Sequence, residues 1–194
     1  MIRDLLQQEN AKLKALNTVI DDFNSSKLSR LISDLIDTMH AAQLIGMAAP
    51  QIGQNYTVFV TELRETKYRT KDQTDELRVY VNPRIVSSSK ERVVIYEGCG
   101  SVESVACFGP VSRPREITIE AFDAKGKKFR LTCDGILSRV IQHEYDHLQG
   151  IEFIDKIEDK STLVTQEKYI SEIKNSHEQL EASKITKVEL QYIR

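Results

Sequence analysis

Residues 134–150 read DGILSRVIQHEYDHLQG, and the reading of this stretch decides the architecture. Ile136, Leu137, Val140, Ile141 and Leu148 recur at the three- and four-residue spacing of one helix face. Asp134 stands where a cap belongs, and Gly150 suits the position past the helix end. An apolar run thus leads straight into His143-Glu144-Tyr145-Asp146-His147, which is expected on that helix. Side chains at i and i+4 on a helix are neighbours, roughly 5–6 Å apart at Cβ. Two imidazoles placed so can share one metal ion, and Glu144 beside them can take a proton from a water there. The bland alternative is a solvated, charged helix face, because HExxH arises by chance on polar helices.

Outward from this helix the pattern changes to strands. Ile117 to Phe122 and Lys128 to Cys133 alternate around the turn Asp123-Ala124-Lys125-Gly126, a hairpin signal. Tyr56 to Leu63, Leu77 to Val81 and Arg92 to Tyr96 read as further strands, and Arg64 to Glu76 reads as an exposed loop or hairpin tip. The glycines, proline and small alanines of QLIGMAAPQIG, residues 43–53, mark tight, irregular backbone. Before it, Leu28, Leu31, Ile32, Leu35, Ile36 and Met39 form a helical face capped at Ser25 or Ser26 and ending near Ala42. The first 24 residues carry a mixed signal. A block of strands flanked by helices predicts an α+β fold: mixed antiparallel β-sheets around a central helix carrying HExxH, with N-terminal and C-terminal helices. The expected division is a catalytic domain over 1–159 and a C-terminal tail over 160–194, helical through Leu180. A candidate strand follows at Ile185 to Tyr192, with Val188, Leu190 and Tyr192 on one side.

Of 194 residues, 40% are apolar and 29% charged, enough for a core without covalent staples. The net charge of -2 and the lack of a basic face beyond KGKK at 125–128 argue against nucleic acid as a direct partner. Cys99, Cys107 and Cys133 are an odd set and argue against a disulfide framework. MIRDLLQQEN lacks a signal pattern, and no apolar run approaches the roughly 20 residues that span a bilayer. The expected address is the cytoplasm, with no membrane partner.

A catalytic metal site of this kind needs a third protein ligand and an open position. His40 ends the first helix and His177 sits in the tail, so the ligand must be a thiolate or a carboxylate. Cys99 is the best candidate, because Glu97-Gly98-Cys99-Gly100-Ser101 follows a strand and a glycine on each side permits close approach. Cys133 shares a strand face with Phe129 and Leu131 and reads as core, while Cys107 reads as loop. The rival third ligands are Glu152, Asp155 and Glu158, downstream as in peptidases of the HExxH type.

Gly46-Met47-Ala48-Ala49-Pro50-Gln51, Glu97-Gly98-Cys99-Gly100-Ser101 and Gln142-His143-Glu144-Tyr145-Asp146-His147 stand in this order. Together they resemble the three motifs of the peptide deformylase family, over roughly Leu28 to Ile157. Val81-Asn82-Pro83, Arg113-Pro114 and Asp134-Gly135 add to the likeness. The resemblance implies a hydrolase that removes the N-formyl group from the N-terminal methionine of newly made peptides and releases formate. It implies Cys99, His143 and His147 as metal ligands and Glu144 as the proton shuttle. Gln51 and the Gly100 N–H would be donors to the developing oxyanion. Ile45, Gly46, Ile95, Ile136 and Val140 would border the methionine pocket, and Arg113 would pair with Asp146 behind the site. It favours Fe(II) in the cell, with Zn, Ni or Co able to occupy purified protein; the ligand types alone do not choose among them. N-formylmethionyl peptides are the implied partners, and the charged tail makes the ribosome a candidate.

Three positions depart from the family pattern. Leu44 stands where a glycine is usual, Gly100 where leucine follows the cysteine, and Glu103 where many members carry proline. Gly100 keeps its N–H but loses side-chain packing. Two alternatives stay open on this footing: a diverged amidohydrolase with another N-acyl substrate, and a metal-binding scaffold without turnover.

Overall fold

The computed structural model describes residues 1–66, 69, 71–102 and 107–194, with backbone alone at 72. Helix α1 (Ser26–Ala41) starts where Ser25 Oγ accepts a hydrogen bond from the Leu28 N–H at 3.3 Å. It buries Leu28, Leu31, Leu35 and Met39. Strands β1 (Gly46–Ala48), β2 (Val58–Leu63) and β3 (Asp75–Ser88) follow, then β4 (Arg92–Glu97), β5 (Cys107–Pro114), β6 (Ile117–Phe122) and β7 (Lys128–Cys133). Helix α2 (Gly135–Leu148) carries the two histidines. The C-terminal segment is β8 (Val164–Thr165), α3 (Gln166–Lys168), a π turn over Tyr169–Ile173, α4 (His177–Ser183) and β9 (Val188–Tyr192). Among the described residues no helix is long and apolar enough to cross a membrane.

Six strands form one sheet in the order β1-β2-β3-β6-β7-β9, three form another in the order β4-β5-β8, and every pairing is antiparallel. The architecture is therefore α+β. Helix α2 lays Leu137, Val140, Ile141 and Leu148 against Phe59, Tyr80, Ile119 and Leu131 of the large sheet. Each such fully buried side chain stabilises by about 1.5–3 kcal/mol, which fixes the helix and hence the direction its histidines face. A second cluster joins α1 to Met47, Val58, Val60 and Val81, and a third lies under β5 at Val102, Val111, Phe153 and Ile157.

Several expectations need correction. Cys107 lies in a strand, not a loop, and is buried. The inward positions of β5 are Cys107, Gly109, Val111 and Arg113, and a glycine and an arginine hide the alternation that would announce a strand. Asp134 occupies the cap position of α2 without a side-chain cap bond. Its carboxylate instead accepts from the N–H groups of Thr186 at 2.7 Å and Lys187 at 2.9 Å. The segment after Lys160 is broken by β8 and the π turn rather than continuously helical. The stretch 64–76 contains a 3-10 turn at Lys71–Gln73 with Gln73 buried, and β3 already begins within it. The position Glu103 lies outside the described residues.

Candidate active site

Three donors converge where the turn after β4 meets α2. The Cys99 Sγ lies 3.3 Å from His147 Nε2, and ligand atoms of Cys99, His143 and His147 all lie within 4.8 Å of one another. The two rings stand one helical turn apart with centroids at 4.9 Å. Burial opposes ionisation of Cys99, yet the imidazoles, His147 first, hold its thiol well below the ordinary range. Among the described residues no other set of three such donors comes together. Glu152, Asp155 and Glu158 are thus not part of the group; His40 instead faces Glu62 at 2.5 Å.

A buried charge network stands behind the group. Glu97 Oε2 sits 2.9 Å from His143 Nδ1, which leaves Nε2 for the metal side. Arg113 holds Glu97 bidentately at 2.7 and 2.9 Å, and Arg139 reaches the same carboxylate at 2.7 Å. Arg113 also meets Asp146 at 2.5 Å, the pair placed behind the site on resemblance. Burial alone would raise the Glu97 carboxyl, but the Arg113 hydrogen bonds outweigh it and hold the group well below the usual carboxylate range. Arg139 and the Glu97 link to both arginines carried no recognisable sequence signal. A buried arginine on an inward helix position is visible only once α2 is packed.

Gln51 is buried, not an exposed loop amide. Its Oε1 accepts from the Ala48 N–H at 2.8 Å, which turns its Nε2 towards Cys99 Sγ at 3.5 Å and Ser101 Oγ at 3.4 Å. The donor end of the amide therefore faces the thiolate and imidazoles. Glu144 is buried as well, and its Oε2 has no hydrogen-bond partner among the described residues. Burial pushes this carboxyl up to about 7, against the opposing charges of His143 and His147. Gly46 makes room for it: a Cβ at 46 would collide with Glu144 Oε1 and stand 2.7 Å from Val140 Cγ2. Ile45, Gly46, Ile95, Ile136 and Val140 line one cavity of about 450 Å³ together with Gln51, Cys99, Gly100, His143 and Glu144.

The two departures at the site explain each other. A Cβ on Gly100 would lie 2.9 Å from Leu44 Cδ1 and 3.1 Å from Leu5 Cδ1. Leu44 fills the space that a side chain after the cysteine would take, so bulk has moved from position 100 to position 44 across the wall. The Gly100 carbonyl is further tied by Gln7 Nε2 at 3.3 Å. The backbone that follows Cys99 thus stays packed without a side chain of its own.

The donor set fits a transition metal. One sulfur and two imidazole nitrogens within reach of one ion, one ring oriented by a carboxylate, match the three-ligand pattern of catalytic sites. A family model described as polypeptide deformylase matches residues 2–162. The peptide deformylase of Thermomicrobium roseum is 38% identical over 164 residues, covering 84% of this chain and 89% of its relative. A Legionella pneumophila peptide deformylase structure aligns with a TM-score of 0.72 at 34% identity, over 81% of this chain and 86% of the other. One from Acinetobacter baumannii, bound to Met-Ala-Ser, aligns with a TM-score of 0.76 at 27% identity, over 81% and 99%. With three motifs converging on one group of donors, and with likeness over most of its length, this chain belongs to the peptide deformylase family of enzymes.

Proposed function

We propose that this enzyme removes the formyl group from the N-terminal methionine of newly made peptides, giving the free amine and formate. The observation that carries the reading is the meeting of Cys99 with His143 and His147 beside a buried, unpartnered Glu144. The Acinetobacter relative's bound Met-Ala-Ser is a peptide of the kind such a reaction leaves behind.

When bound by Cys99, His143 and His147, a divalent ion supplies Lewis acidity and makes hydroxide available near neutral pH. Attack on the formyl carbon puts negative charge on its oxygen. The Gln51 Nε2, its amide fixed by Ala48, donates to that oxygen, as does the Gly100 N–H; preorganised donors of this type are worth roughly 2.7–4 kcal/mol each. Glu144 accepts the proton of the attacking water and passes it to the methionine nitrogen as the C–N bond breaks. A carboxyl held near neutrality by burial can do both. The apolar flank of the cavity, Ile45, Ile95, Ile136 and Val140, receives the methionine side chain.

The family resemblance favours Fe(II) in the cell, with Zn, Ni or Co as substitutes in purified protein. The catalytic groups named above all fall within 1–159, and 160–194 is an appended arm. Action in the cytoplasm, on chains leaving the ribosome, completes the proposal.

The test is formate release from formyl-Met-Ala-Ser, with metal analysis on protein prepared without oxygen. Glu144→Ala is expected to lose roughly 10²–10⁴-fold in kcat/KM, and Cys99→Ala to lose the metal. Release no greater than that of Glu144→Ala rejects the deformylase reading. Full metal retention by Cys99→Ala rejects the ligand set and favours an HExxH peptidase.

A further inference from the structure

The C-terminal arm lies beyond the 2–162 span of the family model, yet it reaches the cleft. It is pinned along its length. Strand β8 pairs with β5 at Cys107 and Phe108, and Tyr169 stacks flat on Phe108 with centroids 4.0 Å apart. The Tyr96 N–H on β4 donates to Gln179 Oε1 at 3.2 Å, and Asp134 at the head of α2 holds Thr186 and Lys187. Between these anchors α4 packs on both β4 and α2, the two elements that carry Ile95, Ile136 and Val140. Gln179 and Ser183 are buried there. Leu180 is 39% exposed and lines the cavity, an apolar side chain that no core cluster includes. The arm also breaks its helical course with a π turn at Tyr169–Ile173, a distortion that recurs at functional sites.

We infer that α4 is a wall of the pocket for the side chain of the substrate's first residue, with Leu180 and Ser183 setting its size. The inference rests on the deformylase reading and adds to it a specificity determinant outside the family's common segment. Leu180 and Ser183 of α4 line the same cavity as Ile95, Ile136 and Val140, on a helix packed against the elements that carry those three. An apolar pocket discriminates by the space and contact it offers, roughly 10–200-fold per methylene.

The test compares formyl-Met-Ala-Ser with formyl-Ala-Ala-Ser on the metal-loaded full chain. Leu180→Trp, which takes up cavity space, is expected to lower kcat/KM for the methionine peptide by roughly tenfold and to leave the alanine peptide within about twofold. Leu180→Phe, a smaller intrusion, should shift the same ratio in the same direction by less. Calorimetric binding of Met-Ala-Ser and Ala-Ala-Ser gives the same ratio without turnover. A merely structural role moves both peptides equally, so an unchanged ratio in either variant, by turnover or by binding, overturns the wall. Absence of formate release from the wild type sinks the deformylase reading instead, while the binding ratio still decides the role of α4.

Discussion

The two segments that meet at the donor group are held in different ways. Helix α2 closes its own hydrogen bonds and sinks an apolar face into the large sheet. The turn at 98–102 has far less internal order: a single 3-10 turn at Gly100–Val102, with the Val102 N–H donating to the Cys99 carbonyl at 3.1 Å. It is otherwise placed by distant partners: Gln51 at the Cys99 sulfur and the Ser101 hydroxyl, Gln7 on the Gly100 carbonyl, Leu44 and Leu5 over Gly100. Glu97, just before it, is clamped by two arginines from β5 and α2. The lesson is that the helical half of the site should withstand local change, while the turn should fail whenever a remote contact is lost.

Arg113→Ala attacks the turn through Glu97, the residue before it, and has the largest expected effect. It removes the bidentate partner of Glu97, leaving that carboxylate to Arg139 and Asp146 to Lys156, and breaking a buried pair of this kind costs about 3–5 kcal/mol. Urea unfolding would show it, and metal affinity should fall as His143 loses its fixed carboxylate. An unchanged unfolding midpoint would mean that the network contributes nothing to holding the turn.

Gly100→Leu is next. The new side chain meets Leu44 and Leu5, and overpacking of this kind costs about 1–3 kcal/mol. The sharper reading is the pair: Leu44→Gly with Gly100→Leu restores the usual family distribution of bulk. It should recover most of the melting temperature and formate release lost by Gly100→Leu alone. If the two substitutions simply add, the exchange of bulk across the wall is a coincidence. Gln149→Ala, on the exposed end of α2, is the helical control and should change stability by no more than about 0.5 kcal/mol.

The legible parts were those with local causes. The face of α1, its Ser25 cap and the β6–β7 hairpin follow from periodicity and turn chemistry within a few residues. The same holds for α2, with Gly150 at φ 69 past its end. Cys99 was singled out by its flanking glycines. Strand β5 was not legible, because its inward positions include Gly109 and a charged residue, Arg113, whose burial makes sense only beside Glu97 and Asp146. Asp134 misled for a related reason: it has the form of a cap, but the arm that returns 52 residues later claims its carboxylate. The tail's polar composition likewise announced a helix and hid β8 and the π turn, which depend on β5 and Phe108 being in place.

The linear order of residues by itself settled which side chains could take part: two imidazoles one turn apart, an acid between them, a thiol in a glycine turn and an amide after a proline. It did so because each choice is enforced by neighbours along the chain. Only the tertiary structure decided that the sulfur reaches the imidazoles, that Gln51 turns its donor end inward, that Leu44 stands in for the missing side chain at 100, and that the arm borders the cleft. Those arrangements depend on contacts between residues tens of positions apart, and such contacts exist only after the two sheets and α2 have packed.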